Sequence, residues 1–368
     1  MKFGIFDHID DAGVPLGQLY AERLTIAEAY DRSGFHAYHV AEHHTTPLGA
    51  AASPALIFAA LSQRTTRLRF GPLVYLLPFY HPLRLIEEVC MLDQMSGGRF
   101  QLGVGRGVSM YETAAYGLDF GQTQAMYHEA FQVLLKGLGS AELSFAGEFY
   151  RFDRQPMILR PLQRPHPPLW SACGSDETAR QTGSLGMGGL FGGEGGPARV
   201  EQLMALYRDA LRDAPVNAAG PTRRAALMTA GYCHEDKRVV ADRGTELVGW
   251  YIEQQRERAR LVWRDYDPTN VPPDYQGYYA RDQRLAAGPH PGEPTPQQVC
   301  ERGEQFCVGT PADCIRFIEM YEALGIEEMI LLCAIGPAQH EEVMHTLRLF
   351  GEQVIPHFRA KGARAAAN

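Results

Sequence analysis

Short runs of apolar residues recur along the chain, separated by longer segments whose apolar positions repeat every three to four residues. The first kind reads as a strand buried on both faces, the second as an amphipathic helix. The stretch from Leu68 to Gly107 shows the unit most fully. Leu68–Tyr75 and Arg99–Val104 read as strands. Between them Pro82 opens a helix, where its missing N–H leaves nothing unsatisfied, and Ser96-Gly97-Gly98 ends it. Leu85, Val89 and Leu92 lie along one side of that helix, beside Ile86 and Cys90. This is one right-handed βαβ unit, with loops leaving the carboxyl ends of both strands.

The alternation extends over the whole sequence. Further strands are predicted over residues 2–6, 36–41, 168–172, 188–191, 224–231 and 328–333. Helices are predicted over 17–33, 54–63, 123–138, 175–182, 197–213 and 235–262, then from Thr310 to Gly325, and last around Val343, Leu347, Phe350 and Val354. Three segments break the rhythm. Residues 143–152 read as a hairpin turning at Ala146-Gly147, and the proline-rich stretch 156–168 as extended loop. Residues 265–298, rich in proline and tyrosine, have little periodicity and make a lid candidate. Eight strands alternating with helices, with no glycine-rich turn after the first, favour a closed α/β barrel of the (β/α)8 kind over an open doubly wound sheet. The reading is one barrel domain over residues 1–358, with insertions and a mobile lid loop, and a flexible tail at 359–368.

Composition narrows the function. At 368 residues and 45% hydrophobic, the chain suits a barrel with insertions. The formal charge of −8, with no dense Lys/Arg patch, argues against nucleic acid or an anionic membrane as partner. No apolar run is long enough to span a bilayer, and the start MKFGIFDHID does not read as a signal peptide. The seven cysteines are scattered and form no CxxC pair, which reads as reduced thiols in a cytoplasmic protein.

In a barrel of this kind the chemistry sits at the carboxyl ends of the strands. Those ends offer Phe6, Asp7 and His8; Glu42, His43 and His44; Tyr75 and the loop to His81; Gly105, Arg106 and Gly107; and Cys173, Gly174 and Ser175. Arg106, between two glycines, could hold a phosphate in a forked geometry or form a structural ion pair. Gly174-Ser175-Asp176-Glu177-Thr178 opens a helix after a strand, and its N–H groups and the Ser175 and Thr178 hydroxyls make either an anion site or an ordinary N-cap. His43 and His44 are adjacent, so in a strand they would face opposite ways, and no metal site is expected of them. A histidine beside Glu42 is a proton-transfer candidate. No nucleophile elbow, P-loop, dinucleotide fingerprint or zinc motif is present. The residues alone lead to a barrel that binds a phosphate-bearing ligand beside a histidine, and flavin mononucleotide (FMN), with one phosphate and an apolar ring, fits.

Taken together, Ala41–His44, Leu77–Arg84, Leu92–Phe100, Gly103–Gly107 and Val308-Gly309-Thr310-Pro311 with Gly325-Ile326 resemble the bacterial luciferase-like flavin monooxygenases. The resemblance runs from Met1 to about Phe358 and is weakest in the middle. It implies the same barrel. It also implies a reaction in which reduced FMN and dioxygen, through a flavin hydroperoxide, oxygenate an aldehyde or another small organic substrate. By motif, His43 corresponds to the catalytic histidine, with Glu42 and His44 beside it. Arg106, Ser175 and Thr178 correspond to phosphate contacts, with Phe6 and Gly174 near the cofactor. Leu73–Val74 falls where the family often has a non-proline cis peptide under the ring, and residues 265–298 match its lid. A separate NAD(P)H:flavin reductase and a homodimer are implied as well. Two positions depart from light-emitting members: Gly105 stands where they have a reactive cysteine, and Gln124 where they have a second phosphate-contacting arginine. A deazaflavin-dependent hydride-transfer enzyme and a non-catalytic flavin-binding subunit are the alternatives on the same barrel.

Overall fold

The computed structural model describes residues 1–11, 13–46, 49–214, 224–264 and 266–367. Asp265 at the start of the lid candidate and Asn368 at the end of the tail therefore lie outside the described residues. The barrel strands, numbered in chain order, are β1 (Lys2–Asp7), β2 (Ala37–Val40), β3 (Arg69–Pro72), β4 (Leu102–Gly105), β5 (Leu169–Ala172), β6 (Gly188–Gly192), β7 (Ala225–Cys233) and β8 (Glu328–Leu332). All their pairings are parallel, in the order β3-β2-β1-β8-β7-β6-β5-β4.

The ring closes at β3. The predicted strand 68–75 is split: Arg69–Pro72 pairs with β2, whereas Tyr75–Leu76 pairs with β4. Between the halves lies a cis peptide bond, Leu73–Val74, as the resemblance implied. A Phe70–Phe100 bridge ties the same seam lower down. The approach is close: a Cβ on Gly103 would lie 2.2 Å from the Pro72 carbonyl oxygen, and one on Gly105 2.5 Å from Val74 Cγ2. Only glycine lets these backbones meet.

Helices cover the outside: α1 (Leu16–Ser33), α2 (Pro54–Arg64), α3 (Pro82–Met95), α4 (Met110–Ala115), α5 (Thr123–Gly139), α6 (Asp176–Ser184), α7 (Gly196–Arg212), α8 (Thr245–Val262), α9 (Gln276–Ala286), α10 (Pro296–Arg302), α11 (Pro311–Ala323) and α12 (His340–Leu349). The α1 helix ends at Gly34, at φ 85°, and α3 carries proline in its first turn. Buried Leu85, Val89 and Leu92 put the apolar face of α3 against the barrel. Glu142–Ala146 and Arg151–Pro156 form the expected antiparallel hairpin. No helix among the described residues is long and apolar enough to cross a membrane.

Several expectations are corrected. Residues 110–115, which carry no predicted element, form α4. The long charged helix begins as Lys237–Val239 and passes through a π turn at Val240–Gly244 before α8. A short strand, Cys307–Gly309, pairs with β7 outside the ring. The segment taken for a tail continues as helix, Ile355–Ala367. The lid candidate is far from structureless. It holds 3-10 turns at Pro268–Asn270 and Pro273–Tyr275, then α9 and the start of α10. Pro268, Pro273 and Pro296 sit at first positions of these turns and of α10, where no N–H is needed. Val271 and Tyr275 bury against Met110, Phe120, Val262 and Trp263 in a second, smaller core, and the Trp263 indole N–H donates to Asp282 at 3.0 Å.

Candidate active site

A cavity of about 590 Å³ opens at the carboxyl ends of the strands, within the range of roughly 300–1,000 Å³ typical of small-molecule sites. One side is apolar: Phe6, Ala41, Leu73, Val74 and Leu76. His43 and Glu112 line the cavity as well. Arg106, Gln124, Ser175, Glu177, Thr178 and Gln181 line the polar part, and Pro273, Tyr275 and Tyr278 of the lid candidate complete the wall. The glycine-flanked arginine, the hydroxyl-rich helix start, the histidine and Leu73–Val74 thus face one space. Gly174 and His44 are not among its lining residues.

Neither histidine is in a strand, because β2 ends at Val40, so strand alternation does not set their directions. His43 Nδ1 lies 3.1 Å from Glu112 Oε1. In the neutral tautomer that donates from Nδ1 to this carboxylate, Nε2 keeps its lone pair. Glu112 also accepts the His44 backbone N–H at 3.1 Å, so one buried carboxylate fixes the loop and orients the imidazole together. His44 is enclosed: its Nε2 meets Glu42 at 2.8 Å and its Nδ1 the Tyr116 hydroxyl at 2.8 Å. Glu42 in turn accepts from the Leu76 N–H at 3.1 Å and the Tyr80 hydroxyl at 3.0 Å. Burial pushes its carboxyl up while these partners pull it down. Glu42 and His44 therefore brace the loop, and the carboxylate on His43 is Glu112.

Glu112 escapes a reading confined to strand ends, since it comes from α4. A signal was there: Ser109-x-x-Glu112 is a helix-start pattern, and the Ser109 hydroxyl accepts the Glu112 N–H at 3.2 Å. Tyr275 and Tyr278 were within the lid candidate but carried no periodic signal.

Arg106 is held on several sides. It donates to the Thr123 hydroxyl at 2.7 Å, Gln124 Oε1 at 3.2 Å and the Phe120 carbonyl at 3.2 Å. Its guanidinium stacks 3.9 Å from the Tyr275 ring centre, and the Tyr275 hydroxyl donates to the Gly107 carbonyl at 2.5 Å. Ser175 and Thr178, also lining the cavity, form a reciprocal capping box on α6. The donors fit a phosphate, and the apolar wall fits a planar ring.

Behind His43 lies a second buried group. The His8 and His43 rings are 5.7 Å apart, and His8 Nδ1 is 3.9 Å from Asp10 Oδ1. Burial, then His43 and Arg258, push His8 down to about 3; burial, then Asp7, push Asp10 up to about 7. Apart from the residues that line the cavity, ligand atoms of His234, Glu235 and His345 lie within 4.8 Å of one another. His345 already bonds Glu235 at 2.6 Å, and His234 Nδ1 accepts the Asp236 N–H at 3.0 Å.

The family of luciferase-like monooxygenases matches residues 1–328, and the chain belongs to it. It is 30% identical over 338 residues to the alkanal monooxygenase alpha chain of Aliivibrio fischeri, covering 89% of this chain and 90% of that one. It is 33% identical over 218 residues to the oxygenase component of the flavin-dependent trigonelline monooxygenase of Acinetobacter baylyi, covering 57% of this chain and 59% of that one. An uncharacterized Sinorhizobium fredii protein, y4wF, is 48% identical over 186 residues, and the match spans 50% of this chain and 54% of that protein. Among solved structures the fold is shared with the oxygenating constituent of 3,6-diketocamphane monooxygenase from Pseudomonas putida in complex with FMN (TM-score 0.74, 19% identity, 97% and 98% covered). It is also shared with an F420-dependent secondary alcohol dehydrogenase (TM-score 0.69, 17% identity, 96% and 97% covered).

Proposed function

We propose that the protein is an oxygenase component that takes reduced FMN and dioxygen and oxygenates an aldehyde or another small organic substrate. The observation that carries this is the convergence of Arg106, Ser175 and Thr178 with Leu73–Val74 and His43 in one cavity. When bound, reduced FMN would supply the electrons that activate dioxygen. The chain's own residues then have separable tasks. Arg106 and the α6 hydroxyls hold the phosphate, and Phe6, Leu73 and Val74 wall the ring. His43, oriented by Glu112, takes or returns a proton through Nε2. The lid residues keep water out.

A separate flavin reductase is part of this reading, supported by the trigonelline relative being named as an oxygenase component. So is a homodimer. Leu56 on α2, Met91 and Met95 on α3 and Ile158 and Leu162 on the adjoining loop are exposed, between 42% and 85%. That loop lies along the end of α3, since Gln94 bonds the Arg160 carbonyl and Asp93 bonds Gln163. Such an apolar patch suits a second copy.

His43→Ala tests the central assignment. Product formation from reduced FMN and dioxygen should vanish while FMN still binds; turnover that survives would overturn it. The fold's occurrence in an F420-dependent enzyme favours hydride transfer from a reduced deazaflavin as the second reading. Anaerobic turnover with reduced F420 would select it, since only the first reading needs dioxygen.

A further inference from the structure

We propose that Tyr278, on the lid, is a direct ligand of the cofactor's phosphate, so that phosphate capture and lid closure are one event. This rests on the flavin reading above and deepens it.

The argument begins with supply and demand for charge. Among the described residues lining the cavity, Arg106 is the only permanent cation, and Glu177 stands in the same part. Gln124 beside the arginine is neutral, and its carbonyl oxygen takes one of the guanidinium's hydrogens. A phosphate monoester carries about −1.5 to −2 at neutral pH and has three acceptor oxygens. One arginine whose fork is already bonded to Thr123, Gln124 and Phe120 leaves much of that acceptor capacity to neutral donors. Ser175 and Thr178, which line the same cavity, are engaged with each other: their hydroxyls are 3.1 Å apart, each also serving the other's backbone N–H.

Tyr278 provides an uncommitted donor. It lines the same cavity, and its hydroxyl has no hydrogen-bond partner among the described residues. Its hydroxyl lies close to the start of α6: a Cβ built on Gly174 would be 2.9 Å from Tyr278 Oη. The hydroxyl therefore sits against the backbone just before the Ser175 cap. Tyr275 does not compete for the role, since its hydroxyl is bonded to the Gly107 carbonyl and its ring lies against Arg106. The two tyrosines, with ring centres 5.5 Å apart, put the lid on both halves of the anion site: Tyr275 on the arginine, Tyr278 at the helix start. A phosphate accepting from Tyr278 Oη would join them, and a flavin without phosphate would not.

The test compares FMN with riboflavin, which shares the ring and lacks the phosphate, on the full chain. Binding is read by flavin fluorescence, and lid closure by tryptic cleavage after Arg281 and Arg284 on α9. In wild type, FMN should bind more tightly than riboflavin and slow cleavage at those arginines. Tyr278→Phe keeps the ring and removes only the hydroxyl. It should raise the Kd for FMN about ten- to a hundredfold, leave riboflavin binding unchanged, and abolish protection at equal occupancy. An FMN Kd in Tyr278→Phe equal to wild type overturns the proposal, as does an equal loss for FMN and riboflavin, which would mean the hydroxyl serves the ring or the fold. Failure of wild type to bind FMN at all would overturn the underlying flavin reading instead.

Discussion

Replacing Asp10 by asparagine should make the protein less sensitive to rising pH. Asp10 is 1% exposed; one oxygen accepts the Gly336 N–H at a long 3.4 Å and the other has no hydrogen-bond partner among the described residues. Burial is the largest influence and Asp7 adds to it, while Gly336, Arg23 and His43 oppose, leaving the carboxyl at about 7 against an ordinary 3.8. The folded value is the higher one. The native state therefore holds a proton that the unfolded chain has released, and this contribution is full below pH 3.8 and lost as pH rises through 7. Between pH 5 and pH 8 the loss amounts to about 2–3 kcal/mol. Asparagine keeps the shape and the acceptor for Gly336 but cannot ionise. Unfolding free energies from urea titrations of both proteins at pH 5 and pH 8 give the comparison. His8, lower in the folded protein, gives wild type its own opposite pH dependence, but it is present in both proteins and cancels in the difference. Asp10→Asn should gain about 2–3 kcal/mol on wild type from the lower pH to the higher. Parallel stability curves across that range would refute the reasoning.

Three further outcomes are expected. Arg106→Ala should weaken FMN about ten- to a hundredfold by loss of a charge-assisted contact and barely affect riboflavin, both measured by fluorescence titration. Gly103→Ala must displace the Pro72 carbonyl from a 2.2 Å contact, so it should destabilise the fold by about 1–3 kcal/mol in urea and weaken flavin binding along with it. By light scattering, wild type should have the mass of a dimer and Met91→Glu with Met95→Glu that of a monomer; a monomeric wild type would refute the proposed dimer, and an unchanged dimer mass in the variant would refute the proposed contact.

The barrel was legible because its strands are apolar on both faces and its helix ends carry strong local signals. Pro82, Gly34 and the Thr310-Pro311-Ala312-Asp313 cap mark boundaries that the structure keeps. The split at β3 was not legible from periodicity, since Leu68–Tyr75 is apolar apart from Arg69 and nothing in that pattern says which neighbour each half will pair with. The cis bond within it came from resemblance. The turns and helices of the lid candidate were not legible because its small core is built from residues far apart in sequence, Met110 and Phe120 with Val271 and Tyr275, and so leaves no local period. The same applies to the histidine's partner. Glu42 is the neighbour in sequence, yet the chain carries it to Leu76, Tyr80 and His44, and Glu112, about seventy residues on, reaches His43.

The seam at β3 has a consequence for how such a protein can change. Its two halves are clasped by different neighbours, so Leu73 and Val74 are shaped by the ring's own closure and not by a free loop. A mutation can remodel the lid tyrosines or the residues of α4 without disturbing that surface, whereas altering the surface itself means reopening the sheet. Diversification among descendants of this scaffold should therefore fall on the roof over the reactants, while the face beneath them is inherited unchanged.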